Sequence, residues 1–283
     1  MLVVADGGSS ITDRVLLSSD NEIISFESRG INPFFLSEKE ILKVLNSIPV
    51  FQEQTEEIKE VHFFGAGCNS PDKRELVSNA LSLKFTSAFV NVESDLLGTA
   101  FATCGNSPGL SCILGTGSNI SYFDGNQLFE GLHGLGYIFD DEASGTYFGK
   151  KLITDYLYGK MPEELAGLFG AKYEVNKELV IKNIYQKSLP NFYLASHIQF
   201  LAEHIKHPYC HSIVEQSLDD YITTHVLAYD NYQSFRCHFV GPTAFYFKEI
   251  LEQLCIKHQV NLGKIIEKPI NDLFKYVREK EGF

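Results

Sequence analysis

One order of elements occurs twice in this chain: apolar strand, glycine-rich turn, strand, polar or acidic turn, strand. The first copy runs Leu2–Ala5, Asp6-Gly7-Gly8-Ser9-Ser10, Ile11–Leu17, Ser18-Ser19-Asp20-Asn21, Glu22–Glu27. The second runs Ser111–Leu114, Gly115-Thr116-Gly117-Ser118, Asn119–Phe123, Asp124-Gly125-Asn126, Gln127–Glu130. Short apolar runs parted by Gly, Ser, Asp and Asn predict a meander of antiparallel strands in each copy. A repeat of this kind predicts two structurally related halves.

Helical patterns fill the space between and after the repeats. Ser37 followed by Glu40 predicts a capped helix over 37–45. Leu76, Val77, Ala80 and Leu81 predict a helix over 72–83. Further helices are expected over 144–158, 194–205, 212–228 and 244–258, with a last one carrying Ile270, Leu273, Phe274 and Val277. Strands are expected at Glu60-Val-His-Phe-Phe-Gly65, Ser87–Ser94, Arg236–Val240 and Lys264–Glu267. Alternating strands and helices make the fold class α/β. The expected division is residues 1–107, with the helix at about 268–283 packing back on them, and residues 108–267. Gly105-Asn-Ser-Pro-Gly109 is too short for a tether and marks a turn or hinge.

The composition narrows the function. The chain has 283 residues, 44% hydrophobic and 21% charged. Lys plus Arg number 24 and Asp plus Glu 36, giving a net charge of −12. A field of that sign repels nucleic-acid backbones, so no nucleic-acid partner is expected, and an anionic ligand must be held by local donors or a metal. The opening Met1–Ser10 turns polar too early for a secretion signal, and no apolar run approaches the ~18 residues of a membrane span. None of the six cysteines forms a CxxC pair, and several sit in apolar runs. Reduced thiols and a cytoplasmic location are expected.

A glycine-rich turn lets successive backbone N–H groups face a phosphate, and Ser or Thr hydroxyls add donors. Gly7, Gly8, Ser9, Ser10 and Thr12 form one such turn, and Gly115, Thr116, Gly117, Ser118 and Asn119 the other. The pair could hold a polyphosphate from both sides of a cleft. Asp6 adds a carboxylate able to reach a metal ion. Neither GxxxxGK[ST] nor a GxGxxG following a strand is present, which disfavours a Walker-type NTPase and a dinucleotide dehydrogenase. Asp95 ends an apolar strand ahead of a helix, where ligands of α/β sheets collect. A carboxylate there either caps the helix or takes the proton of a hydroxyl nucleophile, or does both. Gly134 to Gly145 carries Asp140, Asp141 and Glu142 ahead of a helix. Acids there cap amides or bind sugar hydroxyls, with Asp141 and then Glu142 preferred for a sugar. His204, His207 and His211 with Cys210 have a metal-like look, but Pro208 interrupts them, and a solvated helix end is the expected reading.

Asp6-Gly-Gly-Ser-Ser10-Ile-Thr12, Gly115-Thr-Gly-Ser-Asn119, the Gly134–Gly145 segment and Phe239-Val-Gly241-Pro-Thr-Ala244 follow one another in an order that resembles the N-acetylglucosamine kinases. These stand with the BadF/BadG/BcrA/BcrD-type ATPases in the actin, sugar kinase and Hsp70 superfamily. The resemblance implies two ribonuclease-H-like, actin-like ATPase domains flanking a cleft, and ATP with Mg²⁺ as cofactors. It implies phosphate turns at 7–12 and 115–119, and an adenosine contact at Gly241, Pro242, Thr243 and Ala244. Asp95 matches the family's catalytic Asp, base for the sugar 6-hydroxyl. Asn32 matches its sugar-binding Asn, and Gly67 and Asp141 match other sugar contacts, with Gly134 and Glu142 beside them. Asp6 would lie near Mg²⁺. The first turn departs from the family's DGGGTKT: Ser9 and Ser10 replace Gly and Thr, and Ile11 replaces Lys. Leu135 stands where vertebrate-type kinases carry Trp, and Asp140-Asp141-Glu142 where they carry Gly-Asp-Glu. N-acetylmuramic acid, glucosamine and other hexoses therefore stay open beside N-acetylglucosamine. A homodimer stays open as the assembly.

A rival in the same superfamily is an ATPase that activates a partner enzyme, as dehydratase activators do. Those share a [4Fe–4S] cluster held by cysteines, and Cys104 and Cys112 are the pair close in sequence. A sugar-sensing regulator of the ROK type is disfavoured, since neither a winged-helix extension nor a CxCGxxGC zinc element is seen.

Overall fold

The computed structural model describes residues 1–53, 55–131, 134–187 and 189–283. Leu132 and His133 of the acidic segment lie outside the described residues. The chain forms two compact units, Met1–Ser107 with Lys268–Phe283, and Pro108–Glu267.

The first unit opens with the expected meander, β1 (Leu2–Gly7), β2 (Ile11–Leu17) and β3 (Ile23–Arg29). Then come α1 (Glu38–Asn46), α2 (Pro49–Glu53), β4 (Glu60–Gly65), α3 (Pro71–Lys84), β5 (Phe89–Ser94) and α4 (Asp95–Cys104). The sheet order is β3-β2-β1-β4-β5, antiparallel across the meander and parallel from β1 through β4 to β5. α1 starts where its capping box predicts, the Glu40 carboxylate accepting the Ser37 N–H at 2.9 Å. Val3, Ala5, Leu16, Val61 and Phe63 fill one face of the sheet with Ile41 and Leu45 of α1 and Val77 and Leu81 of α3.

The second unit repeats this plan. β6 (Gly109–Leu114), β7 (Ser118–Phe123) and β8 (Leu128–Glu130) make the second meander. A helical stretch follows: α5 (Gly145–Leu157), α6 (Glu163–Lys172), α7 (Lys177–Tyr185), α8 (Pro190–Ala195), α9 (Ile198–Glu203) and α10 (Pro208–Tyr221). β9 (Arg236–Val240), α11 (Pro242–Tyr246), α12 (Lys248–Lys257) and β10 (Leu262–Ile266) complete it. The sheet order, β8-β7-β6-β9-β10, is that of the first unit element for element. Its core joins Leu110, Cys112 and Phe239 of the sheet to Phe148, Leu152, Val214, Leu218 and Leu251 of the helices. The last helix, α13 (Ile270–Glu281), belongs to the first unit. Its Leu273, Phe274 and Val277 cover Leu2, Val4, Val15 and Leu17 on the sheet face opposite α1 and α3. Tyr276 stacks on Phe101 of α4 with ring centroids 4.4 Å apart.

Three expected helices are divided. The one over 194–205 is α8 and α9, parted at Ser196 and His197. Buried His197 turns its Nδ1 onto the Tyr193 carbonyl at 2.9 Å, which ends α8. The one over 212–228 starts earlier, because Pro208 takes the first helical position and His207 caps it through Nδ1 at 3.1 Å from the Tyr209 N–H. It ends at Tyr221 and continues as a π-helical turn, Ile222–Val226. The one over 244–258 divides at Phe247, whose buried ring meets Phe148 edge-on.

α5 and α8 meet backbone to backbone. A Cβ on Gly149 would stand 1.9 Å from the Leu194 carbonyl oxygen, a contact that only displacement of a helix can relieve. Gly149→Ala is therefore expected to destabilise the protein by about 1–3 kcal/mol or more, read as a lower urea midpoint. An unchanged midpoint would show that the two helices separate at no cost.

Candidate active site

In the first unit, parallel pairing brings strand ends level: Gly7 pairs with Gly65, and Gly65 with Ser94. The residues just beyond those ends meet. Ala66 N–H donates to the Gly7 carbonyl at 2.7 Å. Asn32 is buried and donates through Nδ2 to Ser9 Oγ at 2.8 Å, while its Oδ1 accepts the Phe34 N–H. Gly67, at φ +80°, sits so close to Asn32 that a Cβ would approach Oδ1 to 2.6 Å. Among the described residues the hydroxyls of Ser10 and Thr12 are buried without a hydrogen-bond partner.

Asp95 is the first residue of α4 and not its cap, which is Ser94, whose Oγ accepts the Leu97 N–H. The half-buried Asp95 carboxylate accepts the Leu96 N–H at 3.0 Å through Oδ1. Its field reaches two neighbours. Burial, with Asp95 second, pushes the Cys68 thiol up to about 12. Burial pushes Asp6 up to about 7, helped by Asp95 and Asp13 and opposed by Lys268. Register explains the crowding, since Asp6 lies opposite Asp13 on β2, and Asp13 opposite Glu27 on β3. Lys268 pairs with both Asp13 and Glu27. A half-buried carboxylate with acidic neighbours suits a divalent cation that keeps most of its water, so Asp6 fits the Mg²⁺ role in charge and in donor type.

In the second unit the glycine turn, the acidic segment and the Gly241 segment adjoin. Buried Asp141 accepts the Ser118 N–H through Oδ1 at 3.0 Å and the Thr146 hydroxyl through Oδ2 at 3.4 Å. Burial is the largest influence on it and raises it. Gly145 and Thr146 donate their N–H groups to the carbonyls of Gly115 and Thr116 at 2.9 and 3.0 Å. Gly134 lies against Asn119. Gly241, at φ +120°, passes the end of β6 so closely that a Cβ would lie 2.4 Å from the Leu114 carbonyl oxygen. The same Cβ position lies 3.2 Å from the Gly115 nitrogen, and Pro242, Thr243 and Ala244 follow Gly241 as the start of α11. Among the described residues the hydroxyls of Ser118 and Thr243 are also buried without a partner.

The acids do not cap α5; Ser144 does, its Oγ accepting the Tyr147 N–H. Asp140 Oδ2 instead accepts the N–H groups of Gly134 and Leu135. Glu142 stays half-buried beside His225. Sequence reasoning gave no role to His225, because its partners Asp140 and Glu142 lie far along the chain and no local motif marks it. His207 faces Glu164 at 3.1 Å and caps α10, as a helix end would. Cys112 is wholly buried, its Sγ 3.5 Å from Cys237, so it is spent in the core and not offered to a cluster.

A solved structure from Porphyromonas gingivalis, provisionally named an N-acetylglucosamine kinase, aligns with 99% of this chain and 100% of its own at 35% identity and TM-score 0.92. One from Chromobacterium violaceum with the same provisional name aligns over 98% of each chain at 17% identity and TM-score 0.68. A ROK family glucokinase from Streptomyces griseus, in complex with glucose and AMPPNP, aligns over 96% of each at 12% identity and TM-score 0.61. The last two carry the fold alone. No family model and no curated protein matches the chain. The repeated α/β units and the turns at their strand ends define the actin-like ATPase fold of ATP-dependent sugar kinases. Within that class the chain belongs to the N-acetylglucosamine kinase-like family. Among the described residues no helix is long and apolar enough to cross a membrane.

The raised Asp6 makes a stability prediction. Unfolded, this carboxyl titrates near 3.8, and folded at about 7. Between those values the folded state holds the extra proton, so Asp6 costs stability progressively as pH rises through the window, and the full cost stands above it. In metal-free buffer Asp6→Asn is expected to raise Tm at about pH 8 and to leave it nearly unchanged at about pH 4. Equal shifts at both pH values would show that Asp6 is not held protonated.

Proposed function

We propose that the chain phosphorylates an amino sugar with ATP, N-acetylglucosamine to its 6-phosphate, and that Asp95 is the general base. The observation that carries this is the placing of Asp95 beyond β5, level with the ends of β1 and β4, in a chain 35% identical to a structure provisionally named for that activity. The acceptor oxygen attacks the γ-phosphorus, its proton passes to Asp95, and the bond from that phosphorus to the β-phosphate oxygen breaks to release ADP. Positioning and electrostatics carry most of the rate in such a transfer.

Each unit carries residues for the reaction. In the first, Asn32 and Gly67 contact the sugar, and Gly7, Gly8, Ser9, Ser10 and Thr12 offer amides and hydroxyls to phosphate. The orphaned hydroxyls of Ser10 and Thr12 support this, since buried polar groups ordinarily find partners. In the second, Gly115–Asn119 offer amides to phosphate, with Gly241–Ala244 toward the adenosine. Glu142 and Gly134 face the sugar. Asp141 acts mainly by bracing the phosphate turn, because both its oxygens are engaged with Ser118 and Thr146. Asp6 holds Mg²⁺, which when bound neutralises phosphate charge.

A coupled ADP-release screen across hexoses and N-acetylhexosamines is expected to give its highest kcat/KM with N-acetylglucosamine. Sugar-independent ATPase with silence across the panel would favour partner activation. Asp95→Asn is expected to lower kcat by about 10²–10⁴-fold while nucleotide affinity stays near that of the wild type. Near-normal turnover would remove Asp95 from its role.

A further inference from the structure

The acidic segment is held from behind by a residue that the proposed chemistry does not use. His225 lies on the π-helical turn Ile222–Val226 after α10, a geometry that is rare and recurs at functional sites. Its side chain is 5% exposed, and Nε2 lies 3.0 Å from Glu142 Oε2 and 3.3 Å from Asp140 Oδ1. Asp140 carries the contact forward, Oδ1 accepting the Asp141 N–H at 2.9 Å and Oδ2 the N–H groups of Gly134 and Leu135 at 2.9 and 3.1 Å. Asp141 and Ala143 both take positive φ, +75° and +59°, a conformation that side chains adopt only when their surroundings impose it. The imposing contacts are Ser118 N–H to Asp141 and Ala143 N–H to Ser217 Oγ of α10, with Lys150 Nζ donating to the Tyr137 carbonyl. A hydrogen-bonded chain thus runs from His225 through Asp140 and Asp141 to the Gly115–Asn119 turn.

We propose that His225 is a positioning residue: by engaging Asp140 and Glu142 through one nitrogen it fixes the Gly134–Glu142 segment in the form that meets the acceptor sugar. The sugar half of this statement rests on the function proposed above. The bracing half stands on the geometry alone. His225 engages Asp140 and Glu142, while Asp141 keeps its own bonds to Ser118 and Thr146 at the Gly115–Asn119 turn, so loss of His225 should act on the acceptor and spare the nucleotide. Three donor atoms within 4.8 Å of one another would also suit a divalent cation, and the test includes that occupant.

The experiment compares wild type, His225→Ala and His225→Gln. Hydrogen exchange of the ligand-free proteins reads the brace with no sugar present. Amides over 134–142 are expected to exchange about tenfold faster or more in His225→Ala, to recover substantially in His225→Gln, which keeps a donor, and to leave the Gly7–Thr12 turn unchanged. In steady state His225→Ala is expected to raise the KM of the acceptor about tenfold with the KM of ATP within about twofold. Should His225→Ala fail to fold, His225→Gln against wild type carries the test through a smaller rise in the same two readouts. Unchanged exchange over 134–142 would overturn the proposal. So would a fall in kcat at constant acceptor KM, or stoichiometric metal in the wild type that is lost with His225. Absence of sugar turnover in the wild type, with the exchange difference intact, would overturn the sugar assignment and leave the brace standing.

Discussion

Parallel registration of β1, β4 and β5 is the constraint on which the first unit's chemistry depends. Because Gly7, Gly65 and Ser94 fall on one line across three strands, the chain must leave the sheet three times at one level. Each exit delivers something different: a glycine turn, a positive-φ glycine against a buried Asn, and a carboxylate at a helix start. The second unit uses the same arrangement with β6 and β9. There Val240 ends its strand opposite Ile113, one step before Leu114 ends the other. Two copies of one supersecondary plan have thus been given different side chains at equivalent exits.

The two units solve the problem of charge differently. The first gathers Asp6, Asp13 and Glu27 in a cross-strand row and answers them with Lys268. Burial is the main cause that raises the proton affinity of Asp6, and the like charges of Asp95 and then Asp13 add to it. The second unit buries Asp141 among hydrogen-bond donors, so its carboxylate serves as a fastener for backbone. A chain of net charge −12 can accommodate an anionic ligand only through such local devices.

The features legible in the sequence were those written locally. Both meanders, the capping box at Ser37 and Glu40, and the strand leading to Asp95 depend on neighbours within a few residues. The break at Ser196 and His197 was not legible, because the imidazole that ends α8 looks like any other polar residue in a helical pattern. The role of Asp141 was only partly legible. Its place in an acidic run was plain, but its partner Ser118 stands 23 positions earlier, and the direction of its carboxylate follows from a left-handed backbone. His225 left no signal, since a lone His between Thr224 and Val226 has no periodic or motif context.

The final helix gives the chain an order of assembly. α13 supplies one wall of the first unit's core, yet it is specified after every residue of the second. During synthesis the second unit, continuous from 108 to 267, has all its parts before the first has its own. The earlier-made strands β1 and β2 must wait with Leu2, Val4, Val15 and Leu17 lacking part of their cover until Leu273, Phe274 and Val277 emerge to join Phe64 and Ala102. Completion of the first unit is thereby tied to synthesis of residues 268–283, so a ribosome that stalls before them leaves apolar surface for quality control to find.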